Sequence, residues 1–435
     1  MARKLGRDNT ERVDVKKLIL IVPLLPALVF GQTVLTWQQV KDKFEASNPT
    51  LQASQLNINE ARAGEITAYL RPNPTLTGTL DQINPFADAN SPSTGTPGYR
   101  PLAYALPFAS IGYLHERDHK RELRLASARK STDIAGDSFS DQERTLLFNL
   151  RNAFVQTLQA KSVQQNAREN LEYWDRELGI SRKRFQAGDL AQVDLDRLEL
   201  QRVQFESDLE TALVNLRTAK IQVLALLNNR TPVDRLDLAG PFDFIDHLLP
   251  LEEFRNTALA ARPDLKVALD TVELAKTNHQ LAVANGSTDP TFGVDFGHNP
   301  PIAVYMGVSV NIPLRIFDRN QGEKERTQID IAHAERQKDA AAAQVFSDVD
   351  SAYYTLMSSA NLLRPYRSAD GYLETALRIR DTMSFAYQRG QAALLDYLDA
   401  QRDYRLTEVA YINLVGSYLT AASQLNMAVG REVIQ

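Results

Sequence analysis

The segment Phe185-Gln-Ala-Gly188-Asp-Leu-Ala-Gln-Val-Asp194 returns in the second half of the chain as Tyr387-Gln-Arg-Gly390-Gln-Ala-Ala-Leu-Leu-Asp396. Each copy lies inside a long polar stretch of helix-favouring residues, which the glycine interrupts. Other matches keep the same order: Asn48-Pro49-Thr-Leu51 with Arg262-Pro263-Asp-Leu265, Pro74-Thr-Leu with Pro290-Thr-Phe, and Leu227-Asn228 with Leu425-Asn426. A duplication of about 200 residues therefore organises the sequence and predicts two halves of similar structure.

The composition excludes several classes of protein and site. The 435 residues include 54 acidic and 49 basic side chains, a balance that argues against a nucleic-acid-binding protein. Cysteine is absent, which excludes disulfides, thiolate metal sites, cysteine nucleophiles and a lipid-modified cysteine. Stability must therefore come from packing or from association of several chains.

The N-terminus has the pattern of a secretory signal peptide. Basic residues precede an apolar run from Leu18 to Phe30, and Gly31 supplies a small residue for cleavage. A membrane anchor is the alternative, but 13 apolar residues that include Pro23 and Pro26 fall short of the roughly 20 that a spanning helix needs. We therefore expect residues 1–31 to be a signal peptide.

Two short regions switch from helical periodicity to the alternating periodicity of strands. The first region predicts a β-hairpin at about residues 74–111, with a second strand at Leu102 to Ile111 and a polar loop from Asn84 to Gly98. The second predicts a hairpin at about residues 290–312, with a tight turn from Gly297 to Pro301. Each half thus supplies two strands.

Long helices follow each hairpin. No proline occurs from Leu114 to Ala187, which predicts a helix of about 105 Å, and a second helix returns from Gly188 to Leu227. The second half repeats this pattern from Gln321 to about Val429, with its tip near Gly390 and a kink expected at Pro365. An apolar seam typical of coiled coils runs through Leu209, Leu213, Leu216, Val223 and Leu227.

These elements predict a first repeat at residues 32–228, a linker at 229–250 and a second repeat at 251–430.

Only helices and closed barrels satisfy every backbone group in lipid. Four strands cannot close a barrel, and open strand edges would be untenable there. We therefore expect several copies to contribute strands to one shared barrel.

In this order and spacing, the residues resemble the TolC-type outer-membrane efflux factors over nearly everything after residue 31. The most specific segments are the two glycine tips, the segment Pro313-Leu-Arg-Ile-Phe-Asp-Arg-Asn-Gln-Gly322 and the segment Leu394-Leu-Asp-Tyr-Leu-Asp-Ala-Gln-Arg402. The resemblance implies an α+β membrane protein. Three identical chains would form a 12-stranded β-barrel, four strands per chain, continued by a long α-helical coiled-coil tunnel.

The resemblance also implies a location, partners and a role. The barrel would lie among outer-membrane lipids and the tunnel would reach into the periplasm. There it would meet a periplasmic adaptor protein and an inner-membrane transporter of the RND or ABC type. The chain would be the exit duct of a tripartite efflux pump or of a type I secretion system. It would be gated at its periplasmic end, would catalyse no reaction and would need no cofactor or metal.

Two acidic residues match the family's constriction rings. Asp396 and Asp399 are three residues apart, so their carboxylates share one face of a helix. Threefold symmetry would place rings of such carboxylates across a narrow pore, where they attract cations and repel one another. Alternatively, both are ordinary acids on a solvated helix.

The helix tips match the family's closing link and adaptor contacts. Tyr387 and Asp194 resemble a pair that links the inner and outer hairpins, because a tyrosine hydroxyl can donate to a carboxylate. The arginine that the best-known member has two residues after the tip glycine is Ala392 here, and Arg389 precedes the glycine. The expected adaptor contacts are Gly188, Leu190, Gly390, Ala392 and Leu394.

Two alternatives remain. The sequence His115-Glu116-Arg-Asp-His119 fits the H-E-x-x-H pattern of zinc metalloproteases, although its charged neighbours indicate a solvated segment. A periplasmic coiled-coil scaffold without a channel would explain the long helices. The amphipathic strands that begin near Pro74 and Pro290 argue against the scaffold.

Overall fold

The computed structural model describes residues 33–83, 102, 105–245, 248–299 and 301–434. The expected signal peptide and the expected loop from Asn84 to Gly98 lie outside these residues. The described helices are α1 Trp37–Ser47, α2 Pro49–Tyr69, α3 Lys120–Gln186, α4 Gln192–Leu226, α5 Leu251–Ala261, α6 Pro263–Asn285, α7 Gln321–Arg367, α8 Tyr372–Gln388 and α9 Leu394–Val429. The described strands are β1 Thr33–Leu35, β2 Thr75–Asp81, β3 Leu106–Leu114, β4 Leu236–Leu238, β5 Thr291–Asn299 and β6 Ile302–Asn311.

The two predicted hairpins form one antiparallel sheet in the order β2-β3-β5-β6. The strand predicted at Leu102 to Ile111 instead ends at Leu114, because pairing with β5 continues as far as Leu114 opposite Thr291. The turn predicted from Gly297 to Pro301 is also shorter. β5 continues to Asn299, which pairs with Ile302 across an irregularity that absorbs one residue.

The long helices pack side by side in a fixed order. α3 packs against α4 and α9, and α9 in turn packs against α7 and α8. The resulting order is α4, α3, α9 and then α7 with α8. With 67 residues, α3 spans about 100 Å.

The break in the second long hairpin lies just beyond the expected kink. α7 continues through Pro365 to Arg367, and α8 begins at Tyr372. The break comes at Gly371, where an added Cβ would lie 2.7 Å from the carbonyl oxygens of Ser368 and Tyr366. The turn that separates α7 from α8 therefore lies at residues 368–371, just beyond the proline.

The seam predicted on α4 is only partly correct. Val223 and Leu227 are buried, but Leu209, Leu213 and Leu216 are only half-buried. The buried positions nearer the tip are instead Phe205, Ala212 and Ala219. The three leucines therefore lie beside the buried positions rather than among them.

Equivalent contacts at the base of the two long hairpins show the duplication. The Asn48 side chain donates to the carbonyl oxygen of Leu226 at 3.0 Å. The Arg262 side chain donates to the carbonyl oxygen of Ala428 at 3.2 Å. Asn48 and Arg262 both precede a proline that begins a helix. Each therefore ties the start of a short helix to the end of a long one.

One predicted match between the halves is displaced by a helical turn. The chain adopts the left-handed conformation at Asn228 (φ 48°), two residues after α4, and at Gly430 (φ 85°), one residue after α9. Leu227-Asn228 is therefore equivalent to Val429-Gly430 and not to Leu425-Asn426. The sequence match is misleading because one turn of a helix brings a similar residue to the same face.

The segment between the repeats is packed into the body of the protein. β4 lies within residues 229–250 and pairs in parallel with β1. Leu236 and Leu238 of β4 are buried in a cluster with Phe44 and Phe154. Sequence patterns do not predict this pairing, because three-residue strands have no measurable periodicity.

Among the described residues, no helix combines the length and the apolarity needed to cross a membrane.

Candidate functional site at the hairpin tips

Both tip glycines lie at sharp reversals of the chain. Gly188 has φ of 83° and Gly390 has φ of 73°, the left-handed region that favours glycine. The Asp189 amide donates to the carbonyl oxygen of Arg184 at 2.9 Å, and the Gln391 amide donates to that of Ala386 at 2.8 Å. These are matching helix C-caps, so the repeated motif encodes two equivalent tips.

Four aromatic rings form a column just above the tips. The Tyr387 ring stacks on the Tyr397 ring at 5.1 Å between centroids, with an interplanar angle of 1°. Tyr397 stacks on Trp174 at 6.0 Å, and Trp174 contacts Phe205 at 5.1 Å. The rings come from α8, α9, α3 and α4 and are all buried. This tip aromatic column therefore joins both hairpins of one chain.

The column is a strong contact for an otherwise solvated region. Each aromatic pair contributes about 0.5–1.5 kcal/mol beyond the burial of its apolar area. The Trp174 indole nitrogen also donates to the carbonyl oxygen of Leu198 at 3.1 Å, so its polar atom is satisfied. Sequence reasoning missed the column. The available signal was Trp174 itself, a large aromatic residue in a polar helix 14 residues before Gly188.

Tyr387 contributes to the tip through its ring. Its hydroxyl is buried and has no hydrogen-bond partner among the described residues, so the expected hydrogen bond to Asp194 is not formed. Burial raises the pKa of Tyr387; the nearby positive charge of Arg184 opposes this shift, and Asp194 adds to it. The Arg184 guanidinium lies 5.2 Å from the ring centroid. Stacking and this cation–π contact therefore hold the side chain.

Asp396 and Asp399 lie on the solvent-facing side of the first turns of α9. Both side chains are exposed, whereas Tyr397 between them points into the aromatic column. Asp399 lies 3.5 Å from Arg402, and both side chains of this pair are more than half exposed, so the attraction between them is weak. The two carboxylates are thus presented together on one open face, as their spacing predicts.

The three apolar residues expected to contact an adaptor are packed inward to different degrees. Leu394 is 7% exposed and belongs to the tip cluster, and Leu190 and Ala392 are half-buried against it. Val193 and Leu395, by contrast, are 58% and 63% exposed. They occupy equivalent positions five residues after Gly188 and Gly390.

Polar contacts add to the column along the hairpins. Gln388 donates to the Glu177 carboxylate at 3.0 Å, and Asn166 donates to that of Glu408 at 2.7 Å. Arg405 of α9 pairs with Asp208 of α4. The inner and outer hairpins of one chain are therefore joined by both apolar and charged groups.

The H-E-x-x-H segment does not have the geometry of a zinc site. It lies in the turn between β3 and α3, and His119 adopts the left-handed conformation with φ of 57°. The two histidines therefore do not share a helix face, and Glu116 is paired with Arg124. Within the described ranges, no group of three or more acidic or histidine side chains is placed to hold a metal. Asn320 occupies the equivalent position before α7, with φ of 62°.

Comparison with known proteins shows which proteins this architecture resembles. Residues 254–431 match the family model described as outer membrane efflux protein. The chain is 24% identical over 424 residues to the cobalt-zinc-cadmium resistance protein CzcC of Cupriavidus metallidurans, covering 94% of this chain and 93% of CzcC. It is 22% identical over 414 residues to the outer membrane protein TolC of Escherichia coli, covering 90% and 81% of the two chains.

The fold agrees with a solved structure of the same kind. A crystal structure of CusC superposes with a TM-score of 0.74 at 15% identity, covering 92% of this chain and 93% of the CusC chain. The duplicated hairpins, the shared sheet and the long helices thus have a direct structural counterpart. Residues 254–431 thus match the outer membrane efflux protein family, and the similarity to CzcC and TolC over most of the chain supports an efflux channel of the outer membrane that extends into the periplasm.

Proposed function

We propose that three copies of the chain form one continuous duct, which serves as the outer-membrane exit of a tripartite efflux pump. The observation that carries this proposal is that the sheet and the helical layer each end in two unpartnered edges. Among the described strands, β2 and β6 each have one neighbour. In the helical layer, α7 and α8 lie at one edge, and the other edge is α4 toward the tips and α2 toward the sheet.

The sheet has the two unlike faces that a membrane barrel requires. Leu76, Val304, Met306 and Val308 project from one face and are between 71% and 85% exposed. In β2 the alternate positions are threonines and Asp81, and in β6 they are small or polar except for Tyr305. Pairing β6 of one copy with β2 of the next would put the apolar face against lipid and remove both edges. Four strands from each of three copies give a barrel of twelve.

The helical edges support the same closure. Exposed apolar residues on α4 are spaced by sevens at Val193, Leu200, Val214 and Ile221, with Ser207 at the remaining position. This seam faces no helix of its own chain and matches the period of a coiled coil. The opposite edge also exposes apolar side chains, which include Tyr354, Leu362 and Phe385. Contact between unlike edges generates a ring, and three copies close it.

The gate of this duct would lie at the periplasmic tips. Asp396 and Asp399 of three chains would form two rings of carboxylates, whose mutual repulsion favours opening. Tyr387 and Asp194 would take part in the closing contact, with Tyr387 acting through its stacked ring. The aromatic column would keep the two hairpins of each chain together, so that opening separates neighbouring copies.

The tips would also receive the periplasmic adaptor. We place this contact at the reversals that contain Gly188, Leu190, Gly390, Ala392 and Leu394, and we add Val193 and Leu395 because they are exposed.

An inner-membrane transporter of the RND or ABC type would supply the energy. Efflux is favoured over protein secretion because CzcC, which matches over most of both chains, is named for cobalt-zinc-cadmium resistance. Residues 1–31 would be removed on export, which leaves the two repeats at 32–228 and 251–430 as the mature duct.

The decisive experiment is the mass of the particle extracted in mild detergent from the outer-membrane fraction. We expect three chains per particle and ion conductance after reconstitution into planar bilayers. A monomer or dimer in the soluble periplasmic fraction would instead support the scaffold without a channel. A trimer that does not conduct, even after Asp396→Asn and Asp399→Asn, would contradict a duct gated at these residues.

A further inference from the structure

A carboxylate lies on the polar face of the sheet, far from the tips. Asp295 of β5 lies opposite Ser110 of β3 and Gly307 of β6, and Ser110 in turn lies opposite Thr77 of β2. The Ser110 hydroxyl donates to one oxygen of Asp295 at 2.6 Å. A Cβ added to Gly307 would be 3.8 Å from the Asp295 side chain, so the glycine leaves space beside the carboxylate. Residues 77, 110, 295 and 307 therefore form one row across the sheet.

The charges of the described strands have one sign. β2, β3, β5 and β6 contain Asp81 and Asp295 and contain no lysine or arginine. Asp81 lies four positions from Thr77 on the same strand, so both carboxylates project from the polar face. The opposite face, which includes Phe292 and Val308, is apolar. Neither carboxylate has a basic neighbour within these strands to neutralise it.

We propose that Asp295 determines the ion preference of the outer-membrane end of the duct, as a fixed ring of carboxylates that attracts cations. This inference rests on the proposed function, because three copies must close the sheet with its polar face inward. The ring is separate from Asp396 and Asp399, since about 100 Å of helix α3 lies between the sheet and the tips. That distance exceeds the Debye length at any ordinary salt concentration.

The expected size of the effect follows from the dimensions of the barrel. Twelve strands about 4.8 Å apart and tilted by about 40° enclose a barrel of about 12 Å radius. Three carboxylates about 10 Å from the axis favour a monovalent cation there about eightfold without salt, and about twofold at about 0.1 M. Anions are disfavoured by the same factor, so the cation-to-anion ratio should be about fourfold at that concentration.

The test is the reversal potential of the reconstituted trimer under an approximately tenfold KCl gradient. It is made in the Asp396→Asn, Asp399→Asn background, so that the tip charges do not dominate. We expect Asp295→Asn to lower the cation-to-anion permeability ratio by about fourfold at about 0.1 M salt, and by more in dilute salt. Ser110→Ala, which keeps the charge and removes the hydrogen bond, should leave the ratio unchanged.

Moving the carboxylate to another strand tests whether Asp295 acts through its charge or through the structure around it. Thr77 lies in the same row on another strand, so Thr77→Asp combined with Asp295→Asn returns three carboxylates to that level of the barrel. Recovery of the preference supports the ring. An unchanged ratio in Asp295→Asn, or a lost ratio that Thr77→Asp does not restore, overturns it. Failure of the parent trimer to conduct would instead refute the duct itself.

Discussion

At the scale of single residues, Tyr387 separates two mechanisms of tip closure. A hydroxyl that closes the tip must find an acceptor, yet this hydroxyl is buried without one among the described residues. The ring, by contrast, is stacked on Tyr397 and faces Arg184. A buried polar atom without a hydrogen-bond partner destabilises the folded state, so the Tyr387 hydroxyl lowers the stability of this arrangement.

We predict that Tyr387→Phe keeps the duct closed and changes the free energy of unfolding by no more than about 1 kcal/mol, in the stabilising direction. Tyr387→Ala removes the end of the column, should cost about 3 kcal/mol, and should raise the conductance. Single-channel recording and thermal unfolding of the trimer measure both effects. Increased opening of Tyr387→Phe would show that the hydroxyl is part of the latch.

A second residue-scale feature is the buried guanidinium of Arg262. Its side chain is 3% exposed and pairs with Asp264 at 2.5 Å and with Asp348 at 2.8 Å. Burial alone would raise the pKa of Asp264, but the hydrogen bonds and the charge of Arg262 outweigh it and hold the pKa below its ordinary value. The ionised carboxylate therefore stabilises the folded state.

We predict that Asp264→Asn costs about 2 kcal/mol near neutral pH, because it removes a hydrogen-bonded charge from Arg262. A lowered pKa gives stability that is complete above the unfolded value of about 3.9 and is lost as pH falls through the folded value. The difference between mutant and wild type should therefore shrink below about pH 4. Circular dichroism melts at several pH values measure it.

Asp330→Asn is the matched control, since Asp330 forms an exposed pair with Arg326. It should change stability by less than about 1 kcal/mol. A difference for Asp264→Asn that stays constant down to about pH 2 would contradict the ion-pair explanation.

At the scale of elements, the tip reversals depend on backbone conformation rather than on space. A Cβ added to Gly188 or Gly390 would meet no atom within 4 Å, but both residues have positive φ. Gly179 also has open space, yet it lies inside α3. The three glycines therefore differ in backbone conformation, while each has space for an added Cβ.

We predict that Gly188→Ala and Gly390→Ala each destabilise the protein by about 1–2 kcal/mol, because alanine is strained in the left-handed region. Gly179→Ala should stabilise it by about 0.5–1 kcal/mol through helix propensity. Thermal unfolding of the three variants provides the test. Equal effects at all three sites would mean that the tips do not keep these conformations in solution.

At the scale of the whole molecule, the apolar seam on α4 should hold neighbouring copies together. Leu200 is 71% exposed and is the second residue of this seam. A charge at this position would be buried between copies, at a cost of about 3 kcal/mol per interface. We predict that Leu200→Asp releases monomers in mild detergent, as measured by particle mass.

Asn215→Asp is the control for added charge. Asn215 follows the seam residue Val214, so its side chain is exposed but turned about 100° around α4. This variant should remain a trimer. Dissociation of both variants, or of neither, would contradict a specific contact along the seam.

The sequence by itself determined the long helical hairpins, their tips and the two β-hairpins. These features depend on signals that are local or repeated: the alternation that begins at Pro74 and Pro290, the uninterrupted helical stretch before Gly188, and the second copy of the tip motif. Each signal extends over many residues, so errors of a few residues at strand ends do not obscure it. The shared helix face of Asp396 and Asp399 also follows from helical spacing alone.

Only the tertiary structure decided which residues make contact across the chain. Trp174 and Tyr397 are 223 positions apart, and no periodicity relates them. The β1–β4 pairing and the Ser110–Asp295 row likewise bring together segments separated by 185 residues or more. Such contacts depend on the packing of whole helices and strands against one another, and that packing is set by the entire chain rather than by the residues near each contact.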